Sequence, residues 1–234
     1  MYSRPHHQKI AHVLGLLNAP LLMAHDCYFA GGTAIALMFD EYRESVDIDF
    51  LVSNLDAYRR LRELATSPGG IANFFRAEAK QTIGFGEVRA DQYGIRTAIV
   101  VMGQPIKFEI VLEARIKLEK PSALDVVCGI STLTKLDLAT SKLLANADRW
   151  ADDAVFNRDT IDLAMMSVPL ALLRKAVIKA EEAYGGSVKK DLGAAIARLE
   201  ARQNWLERCM DMLDIRFTKA TLWSKVRVLK KVLK

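Results

Sequence analysis

The sequence predicts an α+β fold over its first half and a helical domain over its second, and three observations carry that prediction. Short runs rich in β-branched and aromatic residues alternate with helix-period segments through the first 120 residues. Beyond Ile130 those β-rich runs disappear. The remaining chain is rich in Ala, Leu and Lys and keeps a helical period. Pro121 and Ser122 mark the change, so the expected domains are 1–120 and 121–234. A composition of 51% hydrophobic and 26% charged residues excludes a disordered or fibrous chain.

Each element has its own signal. In "IAHVLGLLNAPLLMA", Ile10, Val13, Leu14 and Leu17 repeat at helical spacing, so an opening helix is expected to end just before Pro20. His12, Asn18 and Pro20 break the apolar run, which lacks a basic flank and cleavage site and is too short to span a membrane. The expectation is a cytoplasmic protein. "DCYFA" reads as a buried strand ending at Gly31-Gly32, and "TAIALMFDEY" as a helix. "SVDIDFLV" alternates like a half-buried strand, and "LDAYRRLRELATS" is a helix closed by Pro68, Gly69 and Gly70. A meander follows: "FGEVRADQY", a turn at Gly94, "IRTAIVVM", a turn at Gly103-Gln104-Pro105, and "IKFEIVLEARI". Helices are expected over 133–149, 158–166, 168–184, 188–212 and 219–233, with a break at Gly185-Gly186.

Cys27, Cys128 and Cys209 are too few and too scattered for a disulfide framework or a zinc site, and are expected as buried small hydrophobes. His6 and His7 diverge on a helix and lack a third ligand, so a metal site there is not expected. Charge is uneven. Residues 1–120 carry 14 Lys+Arg against 14 Asp+Glu, whereas residues 121–234 carry 19 against 14 and so hold the whole net charge of +5. Beyond Asp214 there are seven bases and no acids, compatible with a polyanionic partner or with an ordinary basic surface helix.

The chemistry concentrates between residues 30 and 52. Gly31-Gly32 between strand and helix gives a tight turn, lets a ligand approach bare backbone and points helix N-terminal amides at an anion such as a triphosphate. Thr33 can cap that helix or donate to a phosphate oxygen; a plain turn is the alternative. Asp47 and Asp49 are two apart on a strand and share a face, while Val46, Ile48 and Phe50 take the other. Paired like charges suit magnesium, although a solvated strand face is equally consistent. Glu109 in "KFEIV" adds a third carboxylate if its strand neighbours that of Asp47. The three could then hold two metal ions, one gripping a triphosphate and one activating a hydroxyl, unless Lys107 pairs with Glu109 and makes it structural.

In order, "GGTAIAL", "RESVDIDF" and "KFEIV" resemble the DNA polymerase beta-like nucleotidyltransferase superfamily. That resemblance implies a mixed sheet with flanking helices, with Gly31, Gly32 and Thr33 at the nucleotide phosphates and Asp47, Asp49 and Glu109 at Mg2+. "TLTKLDLATSKLLANADRW" and "NRDTIDLAMM" resemble the AbiEii/AbiGii-type nucleotidyltransferase toxins of toxin-antitoxin and phage-defence systems. By that resemblance Lys142 contacts the triphosphate and Asp159 orients it or the nucleotide. It further implies an NTP substrate, an RNA acceptor at the 3′ end of tRNA, and a cognate antitoxin. The residues alone also allow Lys142 as a solvated helix lysine, Asp159 as a first-turn acid and Asp162 as a surface residue. Lys135, Lys142 and Arg149, seven apart, share one helix face.

The matches cover roughly residues 28–166, with Thr33 where many members carry Ser, and no motif follows Met166. In the tail, Leu222, Val226, Leu229 and Leu233 form a stripe among Lys225, Arg227, Lys230, Lys231 and Lys234. Docking on the helical domain is the simplest use of that stripe; RNA, a membrane surface and an acidic antitoxin are the others, and the leftover bases are expected to track a tRNA-like substrate. Competing functions are a same-fold enzyme that modifies a protein or small molecule, and a non-catalytic RNA- or partner-binding module.

Overall fold

The computed structural model describes residues 2–234. The chain forms two compact units, one of residues 1–37 and 45–134 and the other of 38–44 and 135–234. The division at 134/135 lies beyond the expected 120/121. The reason is a small hairpin, β7 (Val126–Val127) and β8 (Ile130–Ser131), that stays with the first unit, next to the Phe29↔Thr132 bridge.

In the first unit, α1 spans Pro5–Leu16, and Ile10, Val13, Leu14 and Leu17 are all fully buried, as their spacing predicts. Pro20 does not follow a helix but opens one: α2 (Ala19–Ala24) holds it in its first turn, capped by Asn18, which accepts from the Leu21 amide at 3.2 Å. Then come β1 (Tyr28–Ala30), α3 (Gly31–Met38), β2 (Ile48–Val52) and α4 (Leu55–Thr66). The expected strand "FGEVRADQY" is broken into β3 (Ile83–Phe85) and β4 (Arg89–Ala90), because Gly86 and an exposed polar stretch interrupt the apolar alternation. β5 (Gly94–Val101) and β6 (Gln104–Leu112) turn at Met102-Gly103. Short 3-10 turns over 70–74 and 77–81 had no signal of their own.

The sheet is mixed, ordered β1-β2-β6-β5-β3 with β4 also on β5. β2 and β6 run parallel, in the register Asp49↔Glu109 and Phe50↔Ile110, while β1–β2 and β5–β6 are antiparallel. Residues in register share a face. The row Phe29, Phe50, Ile110, Ile95 is wholly buried and forms the core, with Phe29 and Phe50 rings 5.6 Å apart. The next row faces outward and is charged.

In the second unit, α5 (Lys135–Arg149), α6 (Arg158–Met165), α7 (Leu170–Tyr184), α8 (Ser187–Ala201), α9 (Trp205–Met212) and α10 (Lys219–Leu229) follow in order. The expected single helix over 188–212 is two, because Asn204 takes a left-handed φ of 56° that turns Trp205 into the core. Every α6 residue from Asp159 to Met165 is buried, among α5, α8 and α10. Such a helix must pair its polar groups internally. Leu222, Val226 and Leu229 are buried in α10, so the apolar stripe of the tail docks on its own unit. Lys230 pairs with Glu200 at 2.6 Å, and Lys219 with Glu207. Cys27 and Cys209 are buried and Cys128 is half-buried. No helix of the described residues is long and apolar enough to cross a membrane.

Candidate active site

The strand adjacency on which the site depends is present. Asp49 of β2 lies in register with Glu109 of β6, so one ladder step separates the two carboxylates. Asp47 sits just before β2, half-buried, and Val46 is 46% exposed instead of entering the core. The core face therefore begins at Ile48.

The glycine corner abuts this strand. Gly31 opens α3 at φ 74°, in the left-handed region, and a Cβ on it would lie 2.5 Å from Asp49 Oδ2. Only a residue without a side chain brings the start of α3 against the Asp49 carboxylate. Gly32 follows in the first turn. Thr33 is fully buried, and its hydroxyl donates to Ser45 Oγ at 2.8 Å, tying α3 to the segment before Asp47.

That segment has two more ties, both from α1. The Ser45 amide donates to Nε2 of the buried His7 at 3.1 Å, and His6 Nε2 donates to the Val46 carbonyl at 3.0 Å. The adjacent histidines, with no metal role expected, thus both grip the backbone leading into Asp47. Pattern reading missed this role because the contacts span about 40 residues.

Glu109 is 14% exposed and engaged on both oxygens, by Lys107 Nζ at 2.7 Å and Arg96 Nε at 3.1 Å. Burial works against the Lys107 charge, yet the Glu109 hydrogen bond and the fields of Glu109, Asp47 and Asp49 outweigh it and hold its pKa above the ordinary range. Lys107 therefore lies within the field of all three carboxylates. Among the described residues no three His, Cys, Asp or Glu side chains are arranged to hold a metal ion. Asp47 and Asp49 offer the hard oxygen pair that magnesium prefers, beside a glycine corner whose backbone abuts the Asp49 carboxylate, and so fit such an ion. Glu109 joins them only by exchanging its basic partners.

The second unit holds a separate cluster of charges. Lys142 is buried, its ammonium 2.9 Å from Asp159 and 2.6 Å from Asp162. Arg149 forks onto Asp159 at 2.7 and 3.0 Å. Asp162, expected at the surface, is fully buried and takes the Arg43 guanidinium in a fork of 2.6 and 2.9 Å, with the Tyr42 hydroxyl donating to the same carboxylate. Burial would raise both aspartates, but the Lys142 and Arg149 charges hold Asp159 far below the usual carboxylate range, and Arg43 and Lys142 lower Asp162. Burial first, then the Asp162 charge, push the Tyr42 phenol well up. Lys135 is exposed, so the basic face of α5 runs from solvent into this cluster.

The model of the nucleotidyltransferase AbiEii toxin of type IV toxin-antitoxin systems matches residues 16–225. Similar solved structures include a Helicobacter pylori protein described as a nucleotidyltransferase, at 16% identity and a TM-score of 0.50, covering 97% of this chain and 94% of that one. JHP933 from Helicobacter pylori has 15% identity and a TM-score of 0.50, with 99% and 95% covered. MenT4, a nucleotidyltransferase toxin of Mycobacterium tuberculosis H37Rv, has 15% identity and a TM-score of 0.47, with 98% and 85% covered. No curated protein matches the sequence. With a mixed sheet that sets a glycine corner against its aspartate strand, and a family match over most of its length, the chain belongs to the AbiEii nucleotidyltransferase toxins of type IV toxin-antitoxin systems.

Proposed function

We propose that this nucleotidyltransferase transfers NMP from an NTP to a hydroxyl of RNA, at the 3′ end of tRNA, the hydroxyl oxygen bonding to the α-phosphorus as the α–β anhydride breaks and pyrophosphate leaves, in a Mg2+-dependent reaction that a cognate antitoxin restrains. The observation that carries the proposal is the contact of Gly31 with Asp49, because it sets the bare backbone at the start of α3 directly beside a carboxylate suited to a metal ion. Asp47 and Asp49 hold the metal. When bound there, the ion supplies neutralisation of the triphosphate and a more acidic acceptor hydroxyl.

The chain's own groups do the rest. Backbone at Gly31 and Gly32 receives the phosphates at the start of α3, while Thr33, His6 and His7 fix the approach to Asp47. Lys107 balances the carboxylates when no cation is present and gives way to one. Glu109, released from Lys107 and Arg96, completes the acidic set and accepts the proton of the attacking hydroxyl. Family resemblance assigns Lys142 to the triphosphate and Asp159 to orienting it. Both are held in the buried ion-pair cluster, so in this role Lys142 trades a carboxylate for a phosphate.

The test incubates purified protein with Mg2+, each α-labelled NTP in turn and total bacterial RNA, beside an Asp47→Ala/Asp49→Ala double variant. Label on RNA from the wild type alone supports the proposal and names the base. Label on protein moves the acceptor to protein, and a blank gel rejects transfer.

A further inference from the structure

The register of the sheet carries a charged row past the carboxylates. Asp49 pairs with Glu109, Glu109 with Arg96, and Arg96 with Arg89 on β4, so all four leave the same face. At the other end Asp49 pairs with Ala30, directly before the glycine corner. Strands stand about 4.8 Å apart, which places Arg89 about 10 Å from Glu109 and about 14 Å from Asp49.

Two features of the arginine end call for a ligand. Directly opposed like charges destabilise an antiparallel pair, yet Arg89 and Arg96 face each other across β4 and β5. Arg96 is engaged by Glu109 and by Asp91, at 3.1 Å each, whereas the exposed Arg89 side chain forms no ion pair among the described residues. The β4–β5 turn also carries Tyr93, 64% exposed although aromatic. A free arginine with an exposed aromatic ring is the equipment that grips single-stranded nucleic acid, phosphate by charge and base by stacking.

We propose that the Arg89 and Tyr93 end of this row is the docking site for the acceptor RNA strand, leaving the glycine end to the NTP. The inference rests on the proposed transfer to RNA and names the surface that would guide it. Stacked nucleotides advance about 3.4 Å each, so Arg89 meets the acceptor backbone about three to four nucleotides from the reacting end. The hairpin reads phosphate and ring, not sequence.

The test measures binding of the full-length protein to a fluorescent single-stranded RNA oligonucleotide over a salt series, and NTP binding separately, for wild type, Arg89→Ala and Tyr93→Ala. Both side chains are exposed, and unchanged melting temperatures verify folding. The expected result is that Arg89→Ala makes the log–log salt slope about 0.7 less negative, the share of one single-strand phosphate contact. Tyr93→Ala weakens RNA binding about tenfold at every salt concentration. NTP binding stays unchanged in both. RNA affinity equal to wild type in both variants, or a loss confined to NTP, overturns the proposal. A wild type that binds the oligonucleotide in this way but labels no RNA counts against the transfer reaction alone, because binding is read without catalysis.

Discussion

Asp162→Asn is the perturbation that best tests how the helical unit holds the segment before the aspartates. The change keeps the shape and one acceptor oxygen but removes the negative charge that two buried bases share, Arg43 through a fork of 2.6 and 2.9 Å and Lys142 at 2.6 Å. Breaking a buried pair by neutralising one partner costs about 3–5 kcal/mol, because the remaining charge stays out of water. For a chain of this length about 1 kcal/mol moves the melting temperature about 2–4 °C, so a fall of about 6–20 °C is expected by scanning calorimetry. The double variant Arg43→Gln/Asp162→Asn should recover part of that loss, since the stranded guanidinium is the costly element. A melting temperature within about 2 °C of wild type for Asp162→Asn, or a double variant no better than the sum of its singles, would refute the reasoning.

Other outcomes follow from the same geometry. Gly31→Ala puts a methyl group against Asp49 at a φ of 74°, and is expected to lower nucleotide transfer at least tenfold while costing about 1–2 kcal/mol in a denaturant melt. Asp159 and Asp162 are both depressed in the folded state, so the unfolded chain takes up protons first as pH falls. Their stabilisation is present above the ordinary carboxylate value near 4 and is lost as pH drops below it towards the folded values, which a melting-temperature profile from pH 5 to 2 will show and Asp162→Asn will flatten. Leu222→Ala, at a fully buried position of α10, should cost about 2–5 kcal/mol by urea unfolding, whereas exposed Lys231→Glu should stay within about 0.5 kcal/mol.

The elements that were legible are those with local signals. The apolar period of α1, the β5–β6 meander and the stripe of α10 each encode their own burial, and Asp49 and Glu109 sit on strands whose alternation exposes them. That β2 neighbours β6 is a tertiary fact, guessed from chemistry and carried by no pattern. Asp162 defeated local reading because an acid one turn into a helix belongs at the surface unless distant bases pay for its burial, and Arg43 stands 119 positions away. Thr33 also has a partner outside local reach: its hydroxyl donates to Ser45, 12 residues on, which no capping rule anticipates. The break at Asn204 rests on one left-handed residue inside an otherwise helical run.

Residues 38–44 join α3 to the strand of Asp49 but belong with helices built 100 residues later. This interleaving has a consequence in time. Arg43 leaves the ribosome 119 residues ahead of Asp162, which at about 5–20 residues per second is about 6–24 s of synthesis. Through that interval a nascent chain carries the glycine corner and both aspartates with the span between them lacking its buried counter-charge. Completion of α6 supplies that counter-charge, so residues 38–44 reach their buried setting only after a helix made much later in synthesis.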